Sequence, residues 1–136
     1  MSCNISCCGQ NAYLFTANLA GRNEVPKNNS GSYGVLRAYL SRDRKTLRFD
    51  LRSFRVPNII SAHFHLGYPG TNGAILKTIN MNVCNGTATG FWSKCDSEQP
   101  LTDKNINDLM KGAIYVNVHS KRYPNGEIRG QVRWSG

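Results

Sequence analysis

The strongest constraint on this chain is an alternation of apolar and polar residues with a period of two. From Thr46 to Phe54, Leu47, Phe49 and Leu51 alternate with Arg48, Asp50 and Arg52. From Ile114 to Ser120, Ile114, Val116 and Val118 alternate with Tyr115, Asn117 and His119. After the Tyr123-Pro124-Asn125-Gly126 turn, Ile128, Val132 and Trp134 alternate with Glu127, Arg129, Gln131 and Arg133. Successive side chains of a strand point to opposite faces, so each segment reads as a strand with one buried side. Less regular strand candidates span residues 12–19, 33–40, 61–66, 74–79 and 87–92.

Turn chemistry separates these segments. Residues 41–45 form a short hairpin connection, and Pro124-Asn125-Gly126 signals another. One segment departs from the β pattern. Thr102 is a good N-cap, Ile106, Leu109 and Met110 share a helix face, and Gly112 is a natural stop, so residues 102–111 read as one short helix. About eight short strands, each polar on one side, predict an all-β fold of two antiparallel sheets packed face to face. The chain has 136 residues, the size of one domain, and its 40% hydrophobic content suffices for one core. No apolar run reaches the roughly 18 residues of a membrane span. The expected boundary lies near residue 11, between a cysteine-containing tail (1–11) and the β domain (12–136).

The order of several motifs then becomes informative. Phe15-Thr16-Ala17-Asn18-Leu19-Ala20-Gly21 is followed by Asn23-Glu24-Val25-Pro26. Mid-chain stand Ala62-His63-Phe64-His65-Leu66-Gly67 and Gly70-Thr71-Asn72-Gly73. Near the end come the run from Gly112 to Ser120 and then Tyr123-Pro124-Asn125-Gly126-Glu127-Ile128-Arg129-Gly130-Gln131. Together these resemble the CHRD domain, named after chordin and found also in stand-alone microbial proteins. The resemblance covers roughly residues 13–134. It implies an immunoglobulin-like or superoxide-dismutase-like β-sandwich and a non-catalytic binding or structural module that contacts another macromolecule. It also favours a secreted or particle-associated protein, although the first 21 residues lack the basic start and long apolar stretch of a signal peptide.

The three histidines carry the sharpest chemistry. In Ala62-His63-Phe64-His65-Leu66 the apolar residues take one face, so His63 and His65 share the other. His119 likewise faces away from Ile114, Val116 and Val118. Imidazoles at i and i+2 lie about 6.5–7 Å apart along a strand. With a third from an adjacent strand they could converge on one copper or zinc ion and leave an open position. The competing reading has these rings hydrogen-bonding to the 67–73 loop. A full copper–zinc dismutase centre needs more imidazoles than the chain has. Glu127 and Arg129 share a parity and are candidates either to support His119 from behind or to pair with one another; Glu24 is an alternative partner for Arg129. No Gly-x-Ser-x-Gly elbow or helical His-Glu-x-x-His appears, so catalysis is not expected.

Charge and cysteines supply the remaining expectations. Lys and Arg total 17 against 8 acidic residues, a formal charge of +9. Arg37, Arg44, Arg48 and Arg52 form a candidate anion-binding face for nucleic acid, acidic glycan, phospholipid or acidic protein. The plainer reading is solubility and protection of sheet edges. Phe49 and Phe54 are assigned to or beside the core, so no stacking platform for single strands is expected. Of five cysteines, Cys84 and Cys95 are candidates for a hairpin disulfide, or for two unpaired thiols. Cys3, Cys7 and Cys8 lie in the tail, where a thiol could cross-link two copies of the chain.

Overall fold

A computed structural model describes residues 12–136 of the protein. The expected tail at 1–11, with Cys3, Cys7 and Cys8, lies outside the described residues. The strands are β1 (Tyr13–Ala20), β2 (Tyr33–Leu40), β3 (Thr46–Phe54), β4 (Ile59–Leu66), β5 (Ile75–Ile79), β6 (Thr87–Ser93), β7 (Ile114–Ser120), β8 (Ile128–Gln131) and β9 (Arg133–Trp134). One helix, α1 (Asp103–Lys111), lies between β6 and β7. No helix among the described residues is long and apolar enough to cross a membrane.

The alternation decides which side of each strand is buried. Leu36, Ala38 and Leu40 of β2 and Leu47, Phe49 and Leu51 of β3 point inward, while Val35, Arg37 and Arg52 stay exposed. The single strand expected after Glu127 is split. Val132 interrupts it, buried and donating its N–H to Ile114 O at 2.9 Å, and Arg133–Trp134 swings over to pair with β1. The helix begins and ends where its sequence dictates. Thr102 accepts from the Asn105 N–H, and Asn105 Oδ1 accepts from the Thr102 N–H. Gly112 closes the helix with φ of 76°. Ile106 and Leu109 are its buried face.

Hydrogen-bonded neighbours run β5-β4-β7-β8-β1-β2-β3-β6, and every pairing is antiparallel. The two face-to-face sheets expected from the sequence are therefore linked into one continuous sheet. It curls until its ends, β5 and β6, come back into contact, a nearly closed and barrel-like arrangement. Side chains bridge the remaining gap. Lys77 of β5 pairs with Asp96 at 2.7 Å, and the Thr78 N–H donates to Gln99 Oε1 at 2.9 Å. Inside, Phe64 of β4 stacks on Trp92 of β6 with centroids 5.5 Å apart, and Phe49 meets Phe64 edge-on at 5.4 Å.

The Cys84–Cys95 disulfide is corrected. Cys84 is an exposed free thiol. It precedes β6 and Cys95 follows it. A strand of seven residues sets its ends about 20 Å apart, whereas bridged Cα atoms lie within about 7 Å.

Phe64 is fully buried where the two ends of the sheet meet. Phe64→Ala is expected to cost about 3–5 kcal/mol in denaturant unfolding, against about 1 kcal/mol for Thr102→Ala at the helix cap. Equal losses would contradict this account of closure.

Candidate metal centre

Strand register brings the histidines together. β4 pairs with β7 so that His63 faces Asn117, Ser61 faces His119 and His65 faces Tyr115. On the other side of β7, Asn117 faces Arg129 of β8. One ligand nitrogen from each of His63, His65 and His119 lies within 4.8 Å of the others. His63 Nδ1 is 3.3 Å from His119 Nε2. Two nitrogens bound to one tetrahedral zinc at ordinary bond lengths are about 3.4 Å apart.

Backbone carbonyls set the proton positions. His65 Nδ1 donates to Gly73 O at 3.0 Å, and His119 Nδ1 donates to Pro124 O at 2.7 Å. A carbonyl only accepts, so each neutral ring carries its proton on Nδ1 and keeps a lone pair on Nε2. Carbonyls that hold the far nitrogen in this way are common behind metal-binding histidines. Gly73 has to be glycine for its part, because a Cβ there would sit 1.5 Å from Leu66 O. Asn117 Oδ1 lies 3.0 Å from His65 Nε2 and 3.1 Å from His119 Nε2. Lone pairs therefore converge on one point, and their mutual repulsion is relieved by a cation there, or by turning the Asn117 amide so that its N–H groups donate.

The surroundings are drier than an outer sheet face. His65, Asn117, Arg129 and Glu24 are 7%, 3%, 1% and 6% exposed. Tyr115 stacks on His65 at 4.7 Å with ring planes 2° apart, and the Arg129 guanidinium lies 3.5 Å from the same ring's centroid. Arg129 in turn donates to Asn72 Oδ1 and Tyr68 O, which holds the 67–73 loop over the rings. Burial pushes His63 down to about 4, helped by repulsion from His119 and His65. Burial also lowers His65, against the pull of its hydrogen bonds to Gly73 and Asn117. Burial raises Glu24 to about 7, opposed by the Arg129 charge and a hydrogen bond from Asn117.

A family model for the CHRD domain matches residues 15–132. The chain belongs to the CHRD domain family. No curated protein and no solved structure matches it significantly. The match spans all three histidines and both loops that cover them.

Within this CHRD domain the other expected site residues separate. Glu127 does not stand behind His119 or pair with Arg129. Its fully buried carboxylate pairs with Arg122 and accepts from Ser30, Ser32 and Ser120 at 2.6–2.8 Å. Burial alone would raise it, but those hydrogen bonds, led by Arg122, prevail and hold it at about 2. Arg129 reaches the cluster through Tyr115 and interacts electrostatically with Glu24, the alternative partner. Arg37, Arg48 and Arg52 share the outer face of β2 and β3. Arg44 is separate, in the β2–β3 turn at φ 61°, beside Tyr13. Sequence reasoning missed Asn117 and Tyr115, although both have the parity of His119, and it linked Glu24 only to Arg129.

The two large shifts act in opposite directions. His63, with its pKa lowered to about 4, binds fewer protons folded than unfolded between about pH 4 and 6.5, so stability rises with pH there. Glu24, raised to about 7, binds more protons folded between about pH 4.5 and 7, so stability falls with pH there. Each effect is on the order of 3 kcal/mol before solvent screening, and less after it. His65, also lowered, adds to the His63 trend, so metal-free protein is expected to show a melting temperature that rises with pH from about 4.5 to 6.5, and Glu24→Gln a steeper rise. Parallel profiles for the two proteins would refute the opposition.

Proposed function

We propose that this protein is a CHRD binding module that holds one copper or zinc ion between His63, His65 and His119. The observation that carries the reading is the convergence of three imidazole nitrogens within 4.8 Å of one another. Support comes from the two backbone carbonyls that commit His65 and His119 to bare Nε2 atoms. The lowered pKa of His63 adds to it, because a ring already neutral at pH 7 gives up no proton to bind. An all-imidazole set suits copper and zinc, and copper(II) is the tighter binder in the general order of divalent metals. A three-His site also leaves a coordination position open for water or a ligand. Facing halves of the bent sheet, meeting at Phe49, Phe64 and Trp92, support the immunoglobulin- or superoxide-dismutase-like sandwich that the family implies.

Calorimetric titration of metal-stripped protein with copper(II) or zinc near pH 7.5 tests the proposal. One equivalent should bind, and affinity should fall as the pH drops toward about 4, where protons compete for the His63 lone pair. His63→Ala and His119→Ala should each cost more than the roughly 10–100-fold expected for losing an outer hydrogen-bond partner. Circular dichroism confirms that both variants fold. No uptake, or uptake unchanged in folded histidine variants, would refute the site.

A further inference from the structure

On the opposite half of the sheet, the outer face of β1, β2, β3 and β6 carries a different surface. Arg37 and Tyr39 of β2 and Arg48 and Arg52 of β3 point outward here, with Asp50 as the acidic residue among them. The sequence alone put Phe54 beside the core, but it is 40% exposed and stacks on Tyr33, itself 48% exposed, at 4.9 Å. Phe91 of β6 is 44% exposed and lies opposite Arg48 in the ladder. Arg48 lies over the Tyr39 ring, 4.8 Å from its centroid. Rings and guanidinium groups therefore interleave across neighbouring strands, an arrangement not expected from the sequence alone.

We propose that this face is a docking surface for single-stranded nucleic acid. The chain carries a formal charge of +9, and the face offers three arginines against Asp50, which complements a phosphate backbone. Charge alone would fit any polyanion. The exposed rings favour a nucleic acid, because each base has a flat face that stacks on an aromatic side chain or a guanidinium plane. A single strand also leaves its bases unpaired for such contacts, whereas a duplex buries them. The face lies on β2, β3 and β6, strands that carry none of the three histidines, and the proposal does not depend on metal binding at that cluster.

The test is fluorescence anisotropy of the full chain with labelled oligothymidylate and oligouridylate across a salt series, with heparin as competitor. Three arginine–phosphate contacts should give a slope of log affinity against log salt of about −2, since single strands contribute about 0.7 per contact. Arg48→Gln should flatten that slope by about 0.7. Phe91→Ser and Tyr33→Ser should weaken binding roughly 5- to 150-fold, the equivalent of about 1–3 kcal/mol per stacked base, without altering the slope. Asp50→Asn should tighten binding, a gain that misfolding cannot imitate. Absence of binding at low salt would overturn the proposal. So would serine variants that bind like the wild type while heparin competes fully, because the face would then be a general polyanion exchanger.

Discussion

The pairing of β4 with β7 is the constraint on which the rest of the site depends. In that register Ser61 faces His119 and His63 faces Asn117, so both histidines of β4 and the one on β7 emerge on the same side of two adjacent strands. A slip by one residue would turn every side chain of β4 over, sending His63 and His65 into the core and Ala62 and Phe64 out of it. Burial of Ala62, Phe64, Val116 and Val118 on the inner face therefore fixes the register, and the register fixes the histidines. The hydrophobic pattern and the candidate metal centre are two sides of one ladder.

What covers the outer side turns a collection of rings into an organised cluster. Arg129 holds the 67–73 loop in place, Gly73 brings its carbonyl to His65, and Pro124 does the same for His119. Glu24, Asn117, Tyr115 and Arg129 form a buried polar layer outside the sheet, unlike the solvated surface that alternation alone suggests. Burying four polar side chains is costly unless each finds a partner. Asn117 meets part of this demand through its hydrogen bond to Glu24, and Tyr115 by receiving a donor from Gly73 and lying against Arg129. The opposing shifts of His63 and Glu24 follow from the same dryness, which disfavours charge on both groups.

Much of this was legible from the amino-acid sequence, and the failures have physical reasons. The bounds of β2, β3 and β7 follow from alternation bracketed by turn residues, and α1 from Thr102 and Gly112. That His63, His65 and His119 all face outward was readable as parity, since parity is local, but the adjacency of β4 and β7 was not. Closure of the sheet was not, because strand order depends on contacts distant in the chain, such as Phe64 with Trp92. Glu127 was misplaced because it precedes β8, where alternation no longer governs direction, and a cluster of serines with Arg122 captures it instead. Phe54 was misjudged because its parity was set aside in favour of its hydrophobicity. It shares the outward set of Arg48 and Arg52.

X-ray absorption at the metal edge of protein loaded with one equivalent of copper or zinc tests the central claim most directly. Three imidazole nitrogens at about 2.0 Å, with the outer scattering that whole imidazole rings produce, are expected. A spectrum fitted by oxygen ligands alone, without ring scattering, would contradict the claim that the three histidines share one ion.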